Sequence, residues 1–239
     1  MQQPKNAVKC NLCGHMAPHF KGDGWHEKTI CPNCDSQVRH RLLWATLKFL
    51  DTFSIATVVA GKPMLHFAPE VILSNIFKEL ANPYETADLD ASRYNNLTHI
   101  LDITHMPSVA NEAYWCVLAC DVLEHVQNHK NALKELHRIL QKGGFCLLTV
   151  PQRDNLKITY EDPTITDPSA REEAFGQHDH LRIYGDDFPT MMQDVGFQVA
   201  AIDESFFPKE LVRMFVLFPP VLSSRKNATN YRKIFIGQK

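Results

Sequence analysis

Residues 116–151 read CVLACDVLEHVQNHKNALKELHRILQKGGFCLLTVP, and three elements follow from them. Residues 115–120 form a short, almost wholly apolar run ended by Asp121, the pattern of a strand buried on both faces. From Asn131 onward, Ala132, Leu133, Leu136, Ile139 and Leu140 fall on one face of a helix whose other face carries Lys130, Lys134, Glu135 and Arg138. Gly143 and Gly144 then predict a left-handed stop. Residues 145–150 are apolar or β-branched and closed by Pro151, so a second buried strand follows. Strand, helix and strand make a βαβ unit with a right-handed crossover. Such units build open parallel sheets that bind ligands at the carboxyl ends of their strands.

The rest of the chain has room for one α/β domain and a small appendage. At 239 residues, 44% hydrophobic and 22% charged, it has the composition of an ordinary soluble globular protein. A net charge of −2 gives no global electrostatic case for nucleic acid or membrane binding, so specificity must come from local sites. No basic-then-apolar signal opens the sequence, and the apolar stretch at residues 206–222 is interrupted by Lys209, Glu210, Arg213 and prolines. With seven cysteines, three of them (Cys116, Cys120 and Cys146) inside expected buried strands, a reducing compartment is expected, hence the cytosol and no membrane.

The other four cysteines form two pairs. Cys10-x-x-Cys13 and Cys31-x-x-Cys34 stand seventeen residues apart, the spacing of a four-cysteine zinc site. Gly14 and Asp35 follow the pairs and suit tight knuckles, each offering two thiolates to one tetrahedral ion. The polar turn between Phe20 and Trp25 suits a hairpin with little core, which the metal stabilises. Four thiolates close the coordination sphere, so Cys10, Cys13, Cys31 and Cys34 predict a structural Zn2+. Residues 1–50 carry seven Lys or Arg against three Asp or Glu, and Arg39-His40-Arg41, opening a helix over residues 42–50, is the densest positive patch. A solvated helix start or a salt bridge to the main domain explains it, and so does a phosphate or nucleic-acid contact.

Asp121-Val122-Leu123-Glu124-His125-Val126, the helix ending Arg138-Ile139-Leu140, Lys142-Gly143-Gly144, and the strand closed by Val150-Pro151 resemble the fourth and fifth strand region of class I S-adenosylmethionine-dependent methyltransferases. Gln141-Lys142 stands where that family usually has Lys-Pro. The resemblance implies an α/β fold with a Rossmann-like seven-stranded methyltransferase sheet over residues 51–239, behind an N-terminal zinc ribbon and connecting helix over residues 1–50. It also implies S-adenosylmethionine as cofactor.

Residues 64–70, Met-Leu-His-Phe-Ala-Pro-Glu, take the place of the family's first strand and glycine-rich turn, but Ala68, Pro69 and Glu70 replace G-x-G. His66-Phe67-Ala68-Pro69-Glu70 resembles an uncharacterised branch of the family, often with a cysteine ribbon and Arg-His-Arg before it. Residues 84–88 read as the second strand, and Asp88 lies eighteen residues after Glu70, where an acid meets the ribose hydroxyls in such folds. Asp102 and Ile103, after the third strand, match the family's acid and apolar residue at the adenine. The expected cofactor contacts are therefore His66, Ala68, Glu70, Asp88, Asp102, Ile103 and Asp121.

A long polar segment, residues 152–171, reads as a lid or binding loop. It leads to Gln177-His178-Asp179-His180, then Arg182 and Tyr184. If extended, this segment turns His178 and His180 the same way. An oxygen or nitrogen acceptor benefits from a base, and His178, Asp179, His180, Glu124 and His125 are the candidates. Arg182 suits a substrate carboxylate or phosphate. A helix over 187–195, a strand over 197–202 and a last strand over 231–237 complete the expected sheet.

Methyl transfer to an unknown O or N acceptor is thus the first expectation, the acceptor being a small molecule, a saccharide or RNA. The rival is a non-catalytic RNA- or protein-binding module on a degenerate methyltransferase scaffold, for which the altered glycine turn argues.

Overall fold

The computed structural model describes residues 7–22 and 24–239. The chain opens with a short antiparallel pair, β1 (Val8–Lys9) and β2 (Met16–Ala17), followed by α1 (Val38–Phe49) and a single turn, α2 (Ile55–Val58). Then come β3 (Met64–Phe67), α3 (Val71–Leu80), β4 (Tyr84–Asp88), β5 (His99–Ile100), β6 (Tyr114–Cys120), α4 (His129–Ile139) and β7 (Leu140–Thr149). After these follow β8 (Tyr160–Glu161), α5 (Pro168–Phe175), β9 (Arg182–Ile183), α6 (Phe188–Gln193), β10 (Gln198–Ile202), α7 (Lys209–Phe215) and β11 (Ile234–Gln238).

Seven strands form one sheet in the order β10-β11-β7-β6-β3-β4-β5. β5, β4, β3, β6 and β7 run parallel, and β11 enters antiparallel between β7 and β10. The strand order reverses between β3 and β6, so a crevice opens at their carboxyl ends. This is the expected seven-stranded Rossmann-like sheet.

β6 is apolar throughout because helices cover both faces. Val117 and Ala119 join one core with Leu133, Leu136 and Ile139 of α4 and Phe188 and Met192 of α6. Cys116, Leu118 and Cys120 join the other with Leu42, Leu43 and Leu47 of α1 and Leu73 and Phe77 of α3. Helix α1 therefore packs directly on the sheet. The cysteine segment has its own small cluster, Val8, Cys10, Phe20 and Cys31, closed by Val216 after α7.

Two local expectations are corrected. Helix α4 stops at Ile139, and Leu140 is already extended, so Gly143 and Gly144 lie inside β7. Gly143 has φ +79°, and a Cβ on Gly144 would sit 2.7 Å from the carbonyl oxygen of Trp115. The glycines serve a register irregularity in the β6–β7 pairing. Secondly, residues 177–179 form a turn and not the extended segment that would align His178 with His180. Among the described residues no helix is long and apolar enough to cross a membrane.

Candidate active site

Each cysteine pair closes as a knuckle through the same bonds. Cys10 N–H donates to His15 O and Gly14 N–H to Cys10 O, while Cys31 N–H donates to Ser36 O and Asp35 N–H to Cys31 O. Gly14 (φ +77°) and Asp35 (φ +56°) hold the left-handed position in each. Sγ of Cys10 lies 3.7 Å from that of Cys34, and Sγ of Cys13 lies 3.7 Å from that of Cys31. Zinc–sulfur bonds of about 2.3 Å in a tetrahedron place sulfurs about 3.8 Å apart, so the four thiols fit this ion.

The buried Arg41 ties this centre to the rest of the chain. Its guanidinium donates to the carbonyls of Ser36, Thr29, Phe215 and Val216 and stacks over Phe20 at 4.8 Å. Burial pushes its pKa down to about 10, against the opposing pull of the thiolates. The Arg-His-Arg patch is thus an internal clamp. His40 Nε2 donates to Glu70 Oε1 at 3.0 Å while its Nδ1 accepts from the Gln37 N–H. Arg39 reaches Asp121 Oδ2 at 3.3 Å and Glu70 Oε1 at 3.8 Å.

At the carboxyl ends of β3, β4 and β6 a cleft of about 900 Å³ is lined by Phe67, Ala68, Asp88, Leu89, Asp102, Ile103, Asp121 and residues 125–130. Ala68 has φ +47°, the backbone that glycine would supply, and its N–H donates to Ala87 O. The turn keeps its path in spite of the Cβ. Asp88 is fixed by the N–H of Asp90 on Oδ1 and the hydroxyl of Tyr94 on Oδ2, both at 2.9 Å. Asp102 Oδ1 accepts from the N–H and hydroxyl of Thr104, each at 2.8 Å.

Two expected cofactor contacts, His66 and Glu70, lie behind the wall of this cleft. His66 is fully buried, accepts from Tyr84 at Nδ1 and donates to Glu70 Oε2 at 3.3 Å. Burial raises the pKa of Glu70, but hydrogen bonds from His40 and His66 outweigh it and hold the carboxyl well below its usual range.

Beside the cleft is a second pocket of about 320 Å³, bounded by Trp25, His26, Arg39, Glu124, His180, Asn227 and Arg232, which shares Asp121 and His125 with the first. Asp121 has φ +49° and accepts from Thr149 Oγ1 at 2.7 Å. Burial raises its pKa, and Arg39 and then Arg232 more than reverse this, so it stays ionised. Glu124 is 1% exposed, and among the described residues neither carboxylate oxygen has a hydrogen-bond partner. Burial, then the charge of Asp121, pushes its pKa well above the usual range. His180, 7% exposed, donates from Nδ1 to Phe175 O, and burial followed by His125 lowers it to about 4. His125 stands 4.8 Å from His180 between ring centres, with Nδ1 3.2 Å from Asp179 Oδ2.

Glu124, His125 and His180 are thus brought together, and His178 is not: the 177–179 turn fans it outward to the surface. Arg182 is buried and spends its donors on the carbonyls of Leu123, Val126 and Gln127 and on Glu161, so it is committed to the fold and not to a substrate anion. Tyr184 is likewise interior, bonded to His129 Nδ1 at 2.9 Å. Arg232 and Thr149, which fix Asp121, gave no motif in the sequence.

A family described as a methyltransferase domain matches residues 13–202. No curated protein matches the chain. Among solved structures, an S-adenosylmethionine-dependent methyltransferase from Mesorhizobium loti is 10% identical, the match covering 87% of this chain and 100% of that one, with TM-score 0.56. A SAM-dependent methyltransferase from Archaeoglobus fulgidus is 12% identical over 84% of this chain and 93% of that one, with TM-score 0.51. The [4+2]-cyclase SpnF is 12% identical over 92% and 85%, with TM-score 0.54. At these identities the likeness is one of fold.

Proposed function

From the premise that this chain belongs to the methyltransferase domain family and is an enzyme of that class, we propose that it moves a methyl group from S-adenosylmethionine, held in the larger cleft, to an oxygen or nitrogen acceptor in the smaller pocket. The observation that carries this reading is that the two cavities meet at Asp121 and His125. A donor and an acceptor can then lie end to end, as an in-line displacement needs.

The residues of the cleft fit the cofactor. Asp88, already oriented by Tyr94 and Asp90, takes the ribose hydroxyls; Asp102 and Ile103 take the adenine; and the left-handed Ala68 lets the backbone come close. The cofactor supplies a methyl group on a positively charged sulfur, which is activated for transfer. What remains for this chain is to align the acceptor, exclude water and receive a proton. Glu124, His125 and His180 are the proton- or cation-binding groups that face the acceptor pocket. The acceptor is a small molecule, a saccharide or an RNA group.

The same reading gives the cysteine segment a structural zinc on Cys10, Cys13, Cys31 and Cys34, supported by the sulfur spacing. It assigns the chain to the His66-Phe67-Ala68-Pro69-Glu70 branch, in which the ribbon's Arg39 and His40 clamp the altered turn. Its uncrosslinked cysteines suit the cytosol.

Calorimetric titration with S-adenosylhomocysteine tests the reading. Asp88→Ala is expected to weaken binding more than about tenfold, since a charge-assisted hydrogen bond contributes roughly 1.5–3 kcal/mol. Absence of heat up to millimolar ligand with the wild type would overturn it.

A further inference from the structure

We propose that Glu124, His125 and His180 form a site for a divalent transition-metal cation in the floor of the acceptor pocket, separate from the four-cysteine centre. One carboxylate oxygen of Glu124 and one ring nitrogen of each histidine lie within 4.8 Å of one another. The closing of three ligands onto one ion needs only small side-chain movements from that arrangement.

Three independent features of the cluster favour an ion over a hydrogen-bonded arrangement. Glu124 is 1% exposed, yet both of its oxygens lack a hydrogen-bond donor among the described residues, and a buried carboxyl in that condition is costly unless something binds it. His180 commits Nδ1 to Phe175 O, which leaves Nε2 as the nitrogen free to bind an ion. His125 commits Nδ1 to the carboxylate of Asp179, itself held by Gln177 at 2.7 Å. An imidazole that binds a metal characteristically gives its other nitrogen to a carbonyl or carboxylate, which fixes the tautomer and the ring. Both histidines here have that support in place.

The backbone brings the ligands together from distant parts of the sequence. Leu181 N–H donates to Glu124 O at 2.9 Å, so the segment carrying His180 is laced to the one carrying Glu124 and His125. Two imidazoles and one carboxylate suit Mn2+, Fe2+, Co2+ or Zn2+ in preference to Ca2+ or Mg2+, which favour all-oxygen shells. Three protein ligands leave positions open toward the pocket of about 320 Å³.

The role of the ion rests on the methyl-transfer reading. An acceptor hydroxyl bound at an open position has its pKa lowered and gives its proton to solvent, for His125 is exposed at the pocket's edge. The resulting oxygen anion then attacks the methyl carbon; the new carbon–oxygen bond forms as the carbon–sulfur bond breaks, and that electron pair stays on sulfur. Charges and atoms balance without any further reactant. The acceptor is thereby narrowed to a hydroxyl compound.

The test uses full-length protein with zinc retained on its cysteines, titrated with Co2+ and followed by visible absorption. One saturable equivalent with the weak bands of nitrogen and oxygen ligation, and without a thiolate charge-transfer band, is expected. Glu124→Gln and the exposed-site variant His125→Asn should each raise the Co2+ dissociation constant more than about a hundredfold, and Asp179→Asn about tenfold, the usual effect of an outer-shell partner. Unchanged far-ultraviolet circular dichroism and one retained zinc per chain show that the variants are folded. No saturable uptake up to millimolar Co2+, or unchanged affinity in both Glu124→Gln and His125→Asn, overturns the site. A wild type that binds S-adenosylhomocysteine but no Co2+ rejects the cation alone. One that binds Co2+ but no S-adenosylhomocysteine keeps the cation and rejects methyl transfer.

Discussion

Arg39 Nε lies 3.3 Å from Asp121 Oδ2, joining the helix that follows the second cysteine knuckle to the carboxyl end of the central strand β6. The pair lies at the boundary between the two cavities, since Asp121 lines both and Arg39 lines the smaller. Removing one partner of a buried pair strands the other. Arg39→Gln leaves Asp121 with the hydroxyl of Thr149 and, as its remaining cation among the described residues, Arg232 at 3.5 Å. Urea denaturation is expected to show a loss of about 2–4 kcal/mol. A double-mutant cycle with Asp121→Asn should give a coupling above about 1 kcal/mol; additive losses would mean that the contact carries little energy.

The cysteine centre gives a prediction of its own. Purified protein should contain one zinc per chain, and Cys31→Ser should lose it. The segment's cluster is small, so without the ion the packing of Val8, Phe20 and Val216 is too little to hold it. Because Arg41 ties carbonyls of the cysteine segment to residues 215–216 and α1 also holds Asp121 through Arg39 and Glu70 through His40, the zinc-free variant should bind S-adenosylhomocysteine more weakly, by about three- to tenfold for a loss of roughly 1 kcal/mol. Elemental analysis and calorimetry together check both statements.

What the sequence disclosed and what it hid divide along a physical line. Strand β4 was legible at its observed bounds, and β6 and the buried face of α4, though not its stop, nearly so, because burial on both faces of a strand or one face of a helix leaves a periodic mark on neighbouring residues. The knuckles were legible because the two cysteines of each are close in sequence. Arg182 and Arg232 were not, since each finds its partners far along the chain, and a basic residue on its own reads the same whether it faces water or a buried carboxylate; for Arg39 a salt bridge to the main domain was one of the readings the sequence left open, and it forms. Helix α7 escaped notice because prolines on both sides mask its seven residues. His178 and His180 looked equivalent, and only the turn at 177–179 separates a surface ring from one in the pocket.

His129 predicts a pH dependence of stability. It is buried, with Nδ1 on Tyr184 and Nε2 3.9 Å from Glu161 Oε2; Arg182, Lys130 and Asp187 also face it. Burial, and then the charge of Arg182, lowers its pKa to about 4. Below the ordinary imidazole value of about 6.5 the unfolded chain takes up a proton that the folded chain refuses. The stabilising contribution is therefore whole above that value and is lost as pH falls toward 4. His129→Gln, which keeps a polar partner for Tyr184, should flatten the melting-temperature profile between those limits, by an amount on the order of 1–2 kcal/mol at the acid end. An unchanged slope would show that His129 is protonated in the fold.

Arg182 is a positioning residue whose removal should disturb the site from behind. Its Nη1 donates to Leu123 O at 2.9 Å and Val126 O at 2.5 Å, its Nη2 to Gln127 O at 3.0 Å, and its Nε to Glu161 at 2.9 Å. These carbonyls belong to the bend that carries Glu124 and His125 and then forms part of the cleft wall. A guanidinium fork can serve several acceptors in fixed directions, and a lysine ammonium cannot reproduce that geometry. Arg182→Lys keeps the charge but leaves one or two buried carbonyls unpaired, a cost of about 1–3 kcal/mol each. S-adenosylhomocysteine affinity should fall about three- to tenfold as the wall loosens, for roughly 1 kcal/mol of the loss expressed in binding. Zinc content should stay at one per chain, because Arg182 makes none of the bonds of the cysteine knuckles. Denaturation, calorimetry and metal analysis on one preparation separate these effects. A variant that loses stability with its cofactor affinity intact would confine Arg182 to the fold, whereas loss of both with zinc retained marks it as the brace of the active site.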